Sequence, residues 1–295
     1  MAKTSIFEPM VAALIRHELE EMHYDTSSIT DNLDLLTAHF TIARRLVPTR
    51  NYTIHEPEGF SVPADVADGY HLLKEKLQGG VDVTPHLHKA IVQLEGKDAM
   101  LFDWGIHHFH LGTEMEDYFI KRTGNVLYAI VDNNDFYCIA ILPHQHWADL
   151  ALLEIIEKNW PCLLDRYRLP KGVMPEFKVE ENDIKELRKL RVNIIIQLSD
   201  DACILGAGGG FMSDGSSAEA RRYALQVHHM LNDVQRKMEG QLVELSAMGL
   251  NYLVNDFSDI RREGNEIVVY TSDGKLQAIL FTLKALKDYV GIVSH

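Results

Sequence analysis

Two short runs in the middle of the chain constrain its fold most. Val126 to Val131 and Phe136 to Leu142 are rich in β-branched and aromatic residues, and Asp132-Asn133-Asn134-Asp135 joins them. Such residues suit a pleated, half-buried surface, and an Asp/Asn tetrapeptide suits a tight turn. The pair therefore reads as an antiparallel hairpin. AMLFDW (99–104) and IHHFHLG (106–112) just upstream have the same β-branched and aromatic character. Together they predict a mainly antiparallel sheet around residues 99–142.

The flanks read differently. Ile6, Met10, Leu14, Leu19 and Met22 keep helical spacing, as do Ile29, Leu33, Leu36, Phe40, Ala43 and Val47, with Pro48 at the stop. Val66, Tyr70, Leu73 and Leu77 form a third stripe before Gly79-Gly80, and Thr84-Pro85 opens a short helix through Leu94. Beyond the hairpin, the pattern predicts helices over 148–158, 180–191 and 217–245, the last interrupted at Gly240. VNIIIQL and ACILG read as strands, and EIVVYTSDGKLQAILF as a hairpin turning at Ser272-Asp273-Gly274. The fold class is thus α+β. It divides into a helical region over 1–97, a central α+β unit over 98–168, and a C-terminal α+β unit over 178–295.

Composition excludes several classes. With 46% hydrophobic and 24% charged residues, the chain of 295 residues can build an ordinary globular core. No apolar run approaches a membrane span, and Arg16, His17 and Glu18 interrupt the apolar N-terminal segment, so a cytoplasmic protein is expected. Three widely spaced cysteines argue against both a disulfide scaffold and a cysteine zinc cage. A net charge of −14 argues against a general nucleic-acid coat, although it leaves room for a local basic cleft.

Seven of the 15 histidines fall between His86 and His146. On a strand over 106–111, His108 and His110 share one face, opposite His107, Phe109 and Leu111. His144 and His146 are also two apart, at the end of the second hairpin strand and just before a helix N-terminus. Any single histidine of this set has an ordinary packing role as its simplest explanation. As a set with Arg122, they permit metal-free acid–base chemistry on a phosphodiester. One imidazole would deprotonate a ribose 2′-hydroxyl and another would protonate the leaving oxygen, while Arg122 stabilises the developing charge. Tyr128 is of a residue type that this chemistry also uses.

The order HLG, Arg122, VLYAIV, turn, FYCIAILPH resembles the sheet core of RelE/ParE-like toxins. More broadly, it is similar to the barnase–EndoU–colicin–RelE group of metal-independent ribonucleases. The resemblance spans residues 104–149. It implies an endoribonuclease, a toxin or phage-defence effector acting on RNA and met by an inhibitor or antitoxin protein, with no cofactor. It places His110, Arg122, Tyr128 and His144 or His146 in the active cleft, and strand parity adds His108 to the candidate site. The chain departs from that group in being large and acidic.

Two further readings stand beside it. His108-Phe-His110-Leu-Gly-Thr-Glu114 is HxHxxxE, which resembles half of a cupin metal motif. With His144 it would offer a divalent transition metal (Zn, Mn, Fe or Ni) two or three imidazoles and a carboxylate. The acidic charge and the large helical region also suit a non-enzymatic partner-binding protein. The Gly-rich stretch 206–215 lacks the residues of a P-loop or Rossmann fingerprint and reads as a turn, with Ser216 or Ser217 capping the next helix. His228-His229 reads as a surface or packing pair with no partner at i+4. Cys138 reads as a buried thiol.

Overall fold

A computed structural model describes residues 5–94, 96–199, 202–248 and 253–282. The chain is α+β, as expected. It forms two compact units, one over 41–219 and one combining 1–40 with 220–295. The His-bearing segment 98–168 lies wholly within the first. Residues 283–295 of the expected C-terminal unit fall outside the described residues.

The first unit is built on a four-stranded sheet. Strands β1 (Thr53–His55), β2 (His107–His110), β5 (Asn125–Asp132) and β6 (Asp135–Pro143) lie in the order β1-β6-β5-β2. The hairpin β5–β6 is antiparallel and closes at Asp132↔Asp135, with Asn133 in the left-handed region at φ 53°. Strand β2 adds antiparallel to β5. Strand β1 is absent from the sequence-based expectation, which had only helices before residue 95. It pairs parallel with β6 and is too short for alternation to register. Two small hairpins, β3 (Met115–Glu116) with β4 (Phe119–Ile120) and β7 (Ile195–Ser199) with β8 (Ala202–Leu205), complete the strands of this unit among the described residues.

Both faces of the sheet are covered. On one, Phe109, Leu111, Leu127, Phe136 and Cys138 pack with Tyr70, Leu73 and Leu77 of helix α3 (Ala67–Gly79). On the other, Val126, Tyr128 and Ile139 pack with Trp104, Ile106 and with Leu152, Leu153 and Ile156 of helix α5 (Ala151–Asn159). Helix α3 comes closest at Gly69, where an added Cβ would lie 1.7 Å from the carbonyl oxygen of Leu111. The short helix α6 (Cys162–Asp165) and helix α7 (Glu181–Lys189) follow.

AMLFDW corrects the expectation of a strand. It forms helix α4 (Ala99–Trp104), capped by Asp98, whose Oδ1 accepts from the Leu101 amide at 3.0 Å, and stopped by Gly105 at φ 73°. Its residues from Met100 to Trp104 are all buried, so the run is apolar because it is enclosed on every side. The expected helix over 84–94 is likewise two 3-10 turns, Thr84–His86 and Lys89–Val92, separated by extended Leu87.

The Gly-rich stretch docks on the end of α4. The amides of Gly208 and Gly210 donate to the carbonyls of Asp103 and Phe102, each at 2.7 Å, satisfying carbonyls that a helix end leaves open. An added Cβ at Gly208 would meet the Leu101 carbonyl oxygen at 2.2 Å, so glycine is required there for close approach. The hydroxyl of Ser217 accepts from Arg44 at 2.5 Å.

In the second unit, α1 (Phe7–Glu21) accompanies the antiparallel sheet β11-β10-β9, formed by β9 (Phe257–Glu263), β10 (Glu266–Thr271) and β11 (Gln277–Thr282). Helices α2 (Asn32–Arg45) and α8 (Ala218–Ala247) contribute residues to both units. Helix α8 runs through Gly240 without the expected break, because nothing lies within 4 Å of where its Cβ would be and a glycine costs only about 1 kcal/mol there. His228 does have a partner at i+4, the amide of Asn232 at 3.2 Å, and it also pairs with Glu8. Among the described residues, no helix is long and apolar enough to cross a membrane.

Candidate metal centre

The pairing of β2 with β5 aims two histidines at one place. His108 stands opposite Tyr128 and His110 opposite Val126, so both side chains share the α5 face of the sheet. Phe109 between them faces the other core. The third histidine arrives from the end of β6. The His144 amide donates to the Gly124 carbonyl at 2.8 Å, and Gln145 then turns the chain at φ 116°, a conformation that L-residues rarely adopt. This bend defeats the two-residue parity expected for 144 and 146. His144 faces the β2 histidines, whereas His146 turns to Asp149, with its Nδ1 2.9 Å from the carboxylate.

His108, His110 and His144 each offer a ring nitrogen within 4.8 Å of the others. The rings of His110 and His144 stack at 5.5 Å, and Trp147 stands 4.7 Å from the rings of both His108 and His144. Both nitrogens of His108, both of His110 and Nε2 of His144 are buried without a hydrogen-bond partner among the described residues. Each such atom costs about 1–3 kcal/mol when left unsatisfied. The nearest carboxylate oxygen, Oδ2 of the α4 cap Asp98, stands 3.9 Å from His108 Nδ1. That is an ion-pair separation, too long for a hydrogen bond.

The electrostatics hold these rings neutral. Burial first, then the neighbouring histidines and Arg122, press His108 and His110 down to about 3. His144 is lowered for the same leading reason, with Arg122 and His88 adding to it. Neutral imidazoles with open lone pairs are the protonation state that a metal takes.

The other expected site residues lie in different places. Tyr128 is buried beneath the centre, its hydroxyl 3.4 Å from the Pro143 carbonyl, and burial pushes it up to about 12. It steadies the turn that carries His144 and is a poor proton donor. Glu114 is exposed and pairs with Lys121 at 3.0 Å, outside the histidine group. The HxHxxxE reading therefore keeps its histidines and loses its carboxylate, because the chain turns away at Gly112 to form β3. The Arg122 guanidinium lies 3.0 Å from Nε2 of His88.

His88 and Trp147 were missed. The signal for His88 was available, since His86-Leu87-His88 is another HxH beside the cluster. The His88 ring lies 5.9 Å from that of His108. His86 is fully buried, its Nδ1 2.8 Å from the His110 carbonyl and its Nε2 3.0 Å from the Lys76 ammonium. Nε2 must accept from the ammonium, so the proton of the neutral ring sits on Nδ1 and fixes the backbone at His110. A cavity of about 680 Å³ opens against the centre, lined by His88, Asp98, His108, His144 and Trp147 among others.

Compared with protein-family models, curated proteins and solved structures, the chain gives no match.

Proposed function

We propose that His108, His110 and His144 hold a divalent transition metal, zinc foremost, and that the protein is a metal-dependent hydrolase acting on a substrate in the adjoining cavity. One observation carries this reading: three imidazoles, five of whose ring nitrogens are buried without partners among the described residues, each bring one nitrogen within 4.8 Å of the others, and two of them, His108 and His144, line a cavity large enough for a small-molecule ligand. Three histidine ligands would leave a coordination position free, and the ion's chemistry there would be to acidify a water towards neutral pH.

The surrounding residues have definable tasks. The Asp98 carboxylate stands 3.9 Å from Nδ1 of His108 and would orient that imidazole if the two close to hydrogen-bond distance on loading. Trp147 walls the centre from bulk water, and its own carbonyl is held by Arg188. The metal-free alternative, RNA cleavage by His110 as base with His144 or His146 as acid, draws less support, because burial also lowers His144 and His146 turns away to Asp149, so no charged imidazole joins the group.

The test is metal content after dialysis. The expected result is one equivalent of zinc retained by the wild type and lost in His110→Ala and His144→Ala. A well-folded wild type that takes up no zinc, manganese, iron or nickel would overturn the reading. RNA cleavage that survives EDTA and leaves 2′,3′-cyclic phosphate ends would return the acid–base mechanism in its place.

A further inference from the structure

We infer that His88 and Arg122 form a receptor for the phosphoryl group of the substrate, beside the three-histidine centre; this deepens the metal reading and rests on it. The argument begins with an imidazole that has donors on both sides. His88 Nδ1 accepts from the Ala90 amide at 3.0 Å, which caps the 3-10 turn Lys89–Val92. A neutral ring that accepts at Nδ1 carries its proton on Nε2. Yet Nε2 lies 3.0 Å from Nη2 of Arg122, a group that only donates. Moving the proton to Nδ1 relieves that opposition and sets Nδ1–H against the Ala90 amide instead. In either tautomer the Ala90–His88–Arg122 chain is short of an acceptor. Among the described residues, Arg122 has no carboxylate partner.

An oxyanion resolves this arrangement. Its oxygens accept from Nε2–H of His88 and from the guanidinium of Arg122 together, as charge-assisted bonds. The second observation is independent of the first. The chain has a net charge of −14, yet with the Arg188–Asp103 and Lys189–Glu186 pairs set aside, the charged residues left on the cavity wall are Arg45, Lys97 and Lys185 against Asp98. Lys185 has no acidic partner among the described residues. A cavity lined with one sign of charge concentrates ligands of the other.

A phosphoryl group suits these partners better than a carboxylate. It offers three non-bridging oxygens to the His88–Arg122 pair and to neighbouring donors, whereas a carboxylate has two oxygens in one plane. Arginine is the side chain whose planar fork matches such oxygens.

The test titrates inorganic phosphate, followed by calorimetry, into zinc-loaded and metal-free wild type and into the exposed-site variant Arg122→Gln. Acetate serves as the carboxylate control. The expected result is phosphate binding to the loaded wild type that is at least tenfold weaker in Arg122→Gln, while that variant still takes one equivalent of zinc. Acetate should bind at least tenfold more weakly than phosphate. Equal phosphate affinity in wild type and Arg122→Gln would overturn the assignment, as would acetate binding as tightly as phosphate or no phosphate binding by the loaded wild type. If the wild type takes up no metal, the metal reading falls by itself. Phosphate binding by the metal-free protein, lost in Arg122→Gln, then still supports the receptor, and its absence overturns that too.

Discussion

Nε of Arg188 lies 2.7 Å from Oδ2 of Asp103, with both side chains buried. The same guanidinium covers the Trp104 ring at 4.2 Å and donates to the carbonyl of Trp147. One arginine of α7 thus ties the helix before the histidine strand to the residue that walls the centre. Removing one partner of a buried pair leaves an uncompensated charge, which costs about 3–5 kcal/mol. Arg188→Met should therefore lower unfolding stability by that order in urea titrations. Asp103→Leu combined with Arg188→Met should recover part of the loss, and a double variant no more stable than the single would refute this. Because the Trp147 carbonyl loses its donor in both variants, zinc affinity should fall roughly tenfold in each.

Ligand binding to the folded state alone raises stability by about 2.7 kcal/mol at a hundredfold excess over Kd. Zinc should produce a gain of that order in the wild type, read by thermal or chemical unfolding. His108→Ala and His110→Ala should show none. Glu114→Ala and His146→Ala should respond like the wild type, since Glu114 pairs with Lys121 and His146 with Asp149 outside the group. A lost response in Glu114→Ala would show that the carboxylate is a ligand after all.

His86 makes the fold sensitive to acid. Burial lowers it from 6.5 to about 4, and the adjacent Lys76 ammonium works in the same direction. Between those values the unfolded chain binds the proton and the folded chain does not, so stability rises with pH across that window. The contribution is complete above pH 6.5 and falls away as pH drops towards 4, by roughly 3 kcal/mol at most. His86→Gln should reduce this slope in metal-free protein, the remainder coming from His107, His108 and His110, which burial lowers in the same direction. An unchanged profile in that variant would assign the acid sensitivity elsewhere.

The thiols should differ in reactivity. Cys162 is exposed, while Cys138 and Cys203 are buried. Burial pushes the Cys138 thiol up to about 12, with the Tyr70 hydroxyl 3.5 Å from its sulfur. A thiol reagent at pH 8 should modify one cysteine quickly, and the other two only on unfolding. Rapid modification at Cys138, located by peptide mapping, would contradict its burial.

The hairpin 126–142 was legible because β5 and β6 are long enough for their residue types and turn to stand out. Strand parity also placed His108 and His110 on one face, since an exposed-to-buried rule is not needed when Phe109 is the odd residue between them. Parity failed at His144 and His146 because it assumes extended backbone, and Gln145 is not extended. Buried AMLFDW carried no periodicity to distinguish a helix from a strand, so only the Asp98 cap and the Gly105 stop could have decided it. His88 carried a local signal in the HxH spacing of His86-Leu87-His88, whereas Trp147 enters the site through tertiary packing that neither spacing nor composition marks.

The sheet order has a mechanical consequence. Strands β2 and β6 flank β5 and never touch each other by backbone, yet they deliver the three histidines to one point. An ion held by all three would staple the edge strand across the middle of the sheet and close the chain between His110 and His144 into a loop. Cross-links of that kind act by removing freedom from the opened chain. Peeling β2 away from β5 would then require breaking coordination as well as the ladder. Amide exchange along 107–110 and 125–132 would slow together on loading, and the edge of the sheet would cease to be the first part to open.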